Sequence, residues 1–450
     1  MTAAEQLGIA GARTYLLDRA RAQGIELEVY AERDTSTEIT AFGGEVSEFK
    51  LQARQGLGLR ALVAGAWGYA FTENLSRPAL DRALDSAVEN ARLVTPQAGS
   101  ALSDWPAPPA LDLYGEGLSG VGVEQKVRSA LTLEAAARGA DPRVTSVPYS
   151  GYSDADSERL IGNTHGLERG EKALHAFTYV APLVSEDGQN KMKGDWQFTR
   201  EYTELDPTHT ALSAVEKSVA LLGAKPAPSG TFPAVITGEC VGSLLALFAP
   251  MFSGKMVEEG KSPLAGRLDG VVASPLVTLL DDPTLPRGLN SRAFDAEGHP
   301  SAPLTVIEAG VLRAFMHNAQ TAARAGTVST GHAARHGYQG TVGVGHSNLL
   351  MLAGDTAPEQ LAAGLTGVQL TGIAGGHAGA DPITGDFSLQ AEGFWLDGGQ
   401  VAHPLEVYTV AGNILDVLRD VQAVGSEVEW TMHATAAPAV RVKALALGGS

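Results

Sequence analysis

His332 and His336 stand four apart in STGHAARHG, the spacing at which two imidazoles share a helix face and can grip one metal ion. Position 333 is Ala, where a zinc peptidase of the HExxH type has its glutamate base, and the flanking glycines argue against a helix. His346 and His377 lie in similar glycine-rich turns. These four histidines are the candidate ligands for a metal centre made by this chain alone. A loop histidine more often caps backbone or faces water. Asp381 to Asp386, DPITGD, brings two carboxylates near Gly375-Gly376-His377. They could take a cation, but the spacing fits aspartates satisfying turn amides better. Gly115 to Gly120 matches GxGxxG, yet the short ALDLY before it follows three prolines, so it reads as a loop. The patterns GxSxG and GxxxxGK[ST] do not occur, which leaves serine-hydrolase and phosphate-loop chemistry without a starting point.

These residues must be positioned by a scaffold, and the 450 residues are enough for two or three domains with real cores. Hydrophobic residues make up 44% and charged residues 19%, the balance of a globular chain. The net charge of −18 disfavours contact with nucleic-acid phosphates and with anionic membrane surfaces. The one cysteine, Cys240, forbids an intrachain disulfide and any cysteine-only metal site. The first residues lack an unbroken apolar core, and the longest apolar stretch, Val241 to Phe252, is too short to span a bilayer. A cytoplasmic location is expected.

Hydrophobic periodicity predicts an α+β protein. Helices are expected over Ala3–Ala22, Pro78–Val94 with Ser76 as cap, Gly122–Arg138, and Pro207–Leu222 with Asp206 as cap. Ile25, Leu27 and Val29 alternate with Glu26, Glu28 and Tyr30, as in a half-buried strand. Further strands follow over 45–54, 56–63, 67–71 and 143–198, with glycines as separators. The Pro/Gly/Ser-rich run 223–233 reads as a linker. It divides an N-terminal α+β domain, 1–225, from a C-terminal domain, 226–450, of mostly antiparallel β forming a large sheet or barrel. Only Val241–Phe252 and Pro358–Gly364 read as helices there.

Several longer strings carry a resemblance. They are DDPTLPRGLNSRAFDAEGHPSAPLTVIEAGVLRAF (281–315), STGHA (329–333) and TGDFSLQAEGFWLDGGQVAHPLEVYTVAGNILDVLRDV (384–421), with GLGLRALVAGAWGYAFTENLS (56–76) and GNTHG (162–166) in the first half. The chain resembles the TldD/PmbA superfamily, and within it the PmbA (TldE) branch, collinearly over nearly its whole length. The resemblance implies a peptidase assembled from two related subunits. The TldD subunit carries HExxxH, whose two histidines and a later cysteine hold zinc while the glutamate acts as base; zinc would acidify a bound water for attack on a peptide carbonyl. The PmbA subunit lacks that motif.

In this sequence PAVITGECVGSLL looks like the corresponding stretch. On that register Gly238 and Ser243 replace the two histidines, and Glu239 stays at the base position. The later ligand would be sought near Gly375-Gly376-His377, where there is no cysteine. The resemblance therefore implies a chain without a cofactor of its own, paired with a zinc-bearing TldD-type subunit, or a homodimer when alone. Its role would be to shape a chamber and present peptide to the partner, probing no nucleic acid and no membrane. The alternatives are a self-sufficient metallopeptidase using His332, His336, His346 and His377, and a modulator of DNA gyrase that acts by binding protein.

Overall fold

The computed structural model of the chain describes residues 6–449. The first helix runs Ile9–Ala22 and stops at Gly24, whose φ of 64° is the left-handed step glycine takes without penalty. The expected positions Ala3 to Glu5 lie outside the described residues.

The α+β fold is built on two sheets. The first is an antiparallel half-barrel of seven strands drawn from residues 26–199. Its backbone is the series Ala66–Thr72, Glu45–Val63, Glu26–Phe42, Val144–Asn163 and Glu168–Glu186, each hydrogen-bonded to the next. Gln189–Met192 and Asp195–Thr199 lie along the last. Helices Ile9–Ala22 and Arg77–Leu93 bury Leu16, Leu17, Leu80 and Leu84 against Val29, Leu57 and Leu59. Helices Val123–Ala140 and Pro207–Val219 bury Leu133, Ala137, Ala214 and Val215 against Val147 and Val180. Burying each such leucine or valine removes about 1.5–3 kcal/mol of apolar exposure.

Caps and breaks refine the sequence-based expectations. Asp206 caps its helix, accepting the His209 N–H at 2.9 Å. Ser76 occupies the cap position of Arg77–Leu93 but makes no side-chain cap bond. Gly56 does not break a strand; Glu45–Val63 is continuous, and Gly56 and Gly58 are places of close approach. A Cβ on Gly56 would lie 2.4 Å from the Tyr338 ring, and one on Gly58 would lie 2.1 Å from the Tyr338 carbonyl.

The second sheet has eleven strands from residues 230–448. Five of them close on themselves. Gly230–Ile236 pairs with Gly367–Ala374, which pairs with Asp386–Asp397, then Tyr408–Asn413, then Thr435–Gly448, which returns to Gly230–Ile236. Closure removes the free edges a large sheet would otherwise expose. The expected helix at 241–252 starts earlier, as Gly238–Phe248, and ends in a 3-10 turn, Ala249–Phe252, at Pro250. It inserts Cys240, Val241, Leu244, Leu245 and Phe248 into one core with Ile236, Leu370, Leu389, Val410 and Val440. Four short helices add to the two expected here: Gly254–Glu258, Ala319–Ala325 held between an Asn318 cap and Gly326, Gly376–Gly379, and Ile414–Arg419 capped by Asn413. All are too short for a periodic signal. No helix among the described residues is long and apolar enough to cross a membrane.

Buried charges dock the two sheets. Glu28 and Arg60, on neighbouring strands of the first, meet Glu297 and Arg335 from loops of the second. Arg60 donates to Glu28 at 2.7 Å and Glu297 at 3.0 Å, and Arg335 donates to the other Glu28 oxygen at 2.7 Å. All four side chains are at most 5% exposed. Arg60 also stacks on Trp67, and Arg335 on Tyr30. The alternation at 25–30 thus misleads at Glu28: both faces of the strand are covered there.

Burial also holds His175 neutral. It stacks on Phe198 at 5.2 Å, and desolvation with the Arg200 charge pushes its pKa down to about 4, against a smaller pull from Asp154. The unfolded imidazole takes its proton near pH 6.5, the folded one only near pH 4. The unfolded state therefore binds more protons in that window, and stability falls as pH drops through it, by about 2 kcal/mol. His175→Phe is expected to remove this component. The gap in urea midpoint between variant and parent should widen in the variant's favour from pH 7 to pH 4.5; a constant gap would refute the assignment.

Candidate active site and its degenerate metal positions

The helix Gly238–Phe248 begins at Thr237, whose side chain makes no cap bond. Glu429, on the strand Val421–Trp430, performs that task, its Oε2 accepting the Glu239 N–H at 2.7 Å. The helix lies directly on segment 429–437. A Cβ on Gly238 would stand 2.3 Å from the Ala437 carbonyl and 3.1 Å from Glu429 Cβ. A Cβ on Gly242 would stand 2.8 Å from Thr431 Cγ2. Thr435 Oγ1 donates to the Gly242 carbonyl at 2.8 Å and shares a 2.6 Å hydrogen bond with Thr431. The two glycines permit a helix-to-strand approach that no side chain at those positions would allow.

Glu239 projects into a cleft of about 700 Å³ between the two sheets. Its walls include Trp196 and Phe198 of the first and Phe394, Glu429 and Trp430 of the second. Burial raises the Glu239 carboxyl above its ordinary value; Lys193 and Lys217 oppose this, and Glu429 and Asp195 add to it. Lys193 crosses the cleft floor to bond the Glu392 carboxylate and, at 3.2 Å, the Thr371 carbonyl. Desolvation pulls its pKa down, but the Glu392 contact, with Glu239 and Cys240 adding to it, holds it above the usual value. Cys240 points away into the core, where burial pushes its thiol up to about 12, so it stays protonated at neutral pH.

Ser243, one turn on, faces a different cavity of about 600 Å³. That cavity gathers His346, His377 and His433, with Leu247, Ile373 and Leu389. His346 Nε2 lies 3.2 Å from the His433 carbonyl. His332 is elsewhere: it is 1% exposed, with Nε2 3.0 Å from Asp281 and Nδ1 2.8 Å from the Thr330 carbonyl. Ser347 also binds Asp281. Burial would raise the Asp281 carboxyl, but the His332 and Ser347 contacts and the Arg292 charge hold it below its ordinary value. His336 is exposed in the turn after the short strand Ala333–Ala334, so the pair shares no helix face.

Of the four candidate ligands, His346 and His377 thus share a cavity, and His332 and His336 lie elsewhere. Among the described residues, no group of three or more His, Cys, Asp or Glu side chains stands where it could hold a metal ion. A zinc ion of the HExxxH type does not fit the residues present: Gly238 offers no ligand atom and no room for one, and the Ser243 hydroxyl is a poor ligand in a separate cavity. Segment 429–437 lies against one side of the helix, and the Gly375 turn lies against another: a Cβ on Gly376 would stand 2.5 Å from Leu247. Sequence reasoning missed His433, Glu429 and Lys193, which lie far along the chain from the helix they meet. Asp381 serves its turn, accepting the Ile383 N–H at 2.8 Å. Gly115 and Gly117 of the GxGxxG match pack on Arg200 and Glu201.

Three models of one family match in order. The PmbA/TldA metallopeptidase domain 1 matches residues 27–91, the central domain 116–222 and the C-terminal domain 229–449. This chain belongs to the PmbA/TldD family. Its resemblance to the PmbA (TldE) branch stands. It is 25% identical to metalloprotease PmbA of Escherichia coli over 93% of each chain. It is 28% identical to a metalloprotease of Methanothermobacter thermautotrophicus over 89% of this chain and 88% of that one. A TldD homologue of Haemophilus influenzae is 25% identical over 86% and 82%. A Thermotoga maritima structure, described as a candidate modulator of a DNA gyrase, superposes with a TM-score of 0.90 at 28% identity, covering 98% of this PmbA/TldD-family chain and all of that one. TldE of Thermococcus kodakarensis shares the fold, with a TM-score of 0.88 at 22% identity over 97% and 100%.

Proposed function

We propose that this family member is the non-metal-binding, PmbA (TldE)-type subunit of a two-subunit zinc peptidase. It shapes the chamber and presents peptide to an HExxxH-bearing TldD-type partner. The observation that carries this reading is the contact of Gly238 with the Ala437 carbonyl, which fills the space a first histidine ligand needs. Glu239 keeps the base position, but among the described residues no ligand set stands beside it to hold a metal, so its work here is to bind and orient. The cleft between the sheets is the peptide site, and an extended peptide can add its backbone bonds to a strand edge. The reading includes a division at 225/226 into an N-terminal α+β domain and a C-terminal β domain, and a cytoplasmic assembly that forms a homodimer when the partner is missing.

Reconstitution tests it. The purified chain alone should show neither peptide cleavage nor stoichiometric zinc, and addition of a TldD-type subunit should give zinc-dependent cleavage faster than that subunit achieves by itself. Zinc-dependent cleavage by the lone chain, equal to that of the mixture, would refute the accessory role. A second reading, modulation of DNA gyrase through protein contact, is favoured by the description of the Thermotoga structure. Capture of gyrase by the immobilised chain without nucleic acid would support it.

A further inference from the structure

One long edge of the first sheet is left bare. Glu45–Val63 pairs on one side with Glu26–Phe42, and on the other Ala66–Thr72 reaches only residues 57–63. From 45 to 55, no backbone group among the described residues bonds to anything but that first neighbour. Both faces are open too: every residue from 45 to 54 except Lys50 is exposed. Phe49 is 46% and Leu51 68% exposed, although Ile39, directly across from Phe49, is buried with Ala130 and Tyr152. The core therefore runs out to this edge and stops uncovered. Thr40 pairs with Glu48 and Ala41 with Val46, so a bulge at Ser47 limits the regular edge at one end. The start of the Ala66–Thr72 pairing at Leu57 limits it at the other.

Proteins usually blunt such an edge with proline or with repelling charges. Residues 45–56 contain no proline, and their four charges, Glu45, Glu48, Lys50 and Arg54, cancel within a chain of net charge −18. They also complement themselves. A twofold axis perpendicular to the sheet sets side chains of the same face opposite each other in two antiparallel copies. With the axis at Leu51, Glu48 of each copy meets Arg54 of the other, Phe49 meets Ala53, and the two Leu51 side chains meet. With the axis at Lys50, the two ammonium groups oppose each other; at Gln52, Lys50 of each copy opposes Arg54 of the other. At Phe49, only residues 48–50 pair before the bulge intervenes. The Leu51 register pairs residues 48–54 and opposes no like charges. Within its own chain Arg54 faces Asp34 and bonds the Gln52 amide oxygen at 2.8 Å, and Glu48 gives one oxygen to Lys50 at 2.7 Å. In the pair, Arg54 would lie between Asp34 and the other copy's Glu48. We infer that this edge is a homodimer surface: residues 48–54 of two copies pair antiparallel about Leu51 and join their first sheets into one. The inference rests on the reading that the chain self-associates when its partner is missing, and adds the surface it uses.

Sedimentation velocity of the full chain from about 1 to 100 µM tests it. The parent is expected to form dimers that weaken as salt rises. Arg54→Glu and Glu48→Arg should each weaken the dimer by about tenfold or more, since both symmetry-related pairs turn repulsive, and Leu51→Asp should do the same. Combining Glu48→Arg with Arg54→Glu restores opposite charges across the axis and should bring the dimer back to within about threefold of the parent. The three side chains are exposed, so circular dichroism of every variant should match the parent. A parent dimer indifferent to the single reversals and to Leu51→Asp, or a double variant as weak as the singles, overturns this surface while leaving self-association standing. A parent that stays monomeric overturns both, and the accessory role is then judged by reconstitution alone. Protection of amides 48–54 from hydrogen exchange by an added TldD-type subunit or an extended peptide, with no dimer of the chain alone, gives the edge to that occupant and overturns the proposal.

Discussion

Replacement of Glu28 by Gln is expected to cost about 3–5 kcal/mol, among the largest losses any single substitution in this chain should cause. Glu28 divides its two oxygens between Arg60 and Arg335, both at 2.7 Å. An amide of the same size keeps one acceptor and withdraws the charge. Two guanidinium groups, 2% and 5% exposed, would then share the single carboxylate of Glu297. That carboxylate is itself occupied, by Arg60 at 3.0 Å and the Ala319 N–H at 2.8 Å. Neither Arg60 Nε nor Arg335 Nε has a partner even in the parent. Water cannot reach the site to compensate, so the uncancelled charge is borne in low dielectric.

The electrostatic origin has its own signature. Glu28→Met combined with Arg335→Met removes one charge of each sign and leaves Arg60 paired with Glu297. This double variant should be more stable than either single one, because a buried ion pair replaced whole costs little, whereas half a pair costs its desolvation. Urea titrations followed by fluorescence and by circular dichroism measure both effects. If the double variant is worse than the sum of the singles, the residues act through packing and the charge argument fails.

The second large effect concerns the degenerate metal positions. Gly238→His with Ser243→His rewrites GECVGS as HECVGH, yet it is expected to bind no zinc and to lose about 3 kcal/mol or more. The β-carbon at 238 meets the Ala437 carbonyl at 2.3 Å, well inside van der Waals contact, and that atom belongs to the barrel backbone. The helix cannot retreat cheaply, because Cys240, Leu244 and Phe248 anchor its opposite side in the core. Gly238→Ala alone should carry most of the loss, and Ser243→His, facing an open cavity, very little. Equilibrium dialysis with zinc and thermal melts on the three variants decide it. Tight zinc in a stable double variant would show that the lost motif is the only barrier to a metal centre here.

Both predictions turn on features the sequence conceals. The strand alternation at 25–30 correctly marks Leu27 and Val29 as core, but it assigns Glu28 to water because periodicity reports one face of one strand. The loop that covers the other face lies some 270 to 300 residues further on, at Glu297 and Arg335, with no local pattern to announce it. Gly56 reads as punctuation for the same reason: its close neighbour is Tyr338. The sequence pattern starts this helix at Val241, three residues after its observed start at Gly238, and glycines at 238 and 242 carry low helix propensity. Here they are selected by distance to a strand two hundred residues away. His433, Glu429 and Lys193 each look like ordinary surface residues until barrel closure and sheet docking bring them to the Glu239 helix.

By itself the sequence determined the α+β class, the helices that cover the first sheet, the Asp206 cap, the β character of the second half and the family, since each is written in residue order or in short-range spacing. It also determined that positions 238 and 243 carry no strong ligand. Tertiary structure alone decided that no histidine could be accommodated at 238, that His332 and His336 stand apart from the cavity shared by His346 and His377, and that an aromatic, carboxylate-rich cleft opens beside Glu239. Those outcomes depend on which distant segments touch, and contact between segments is settled by packing, hydrogen-bond closure and charge pairing over the whole chain, not by the spacing of neighbours along it.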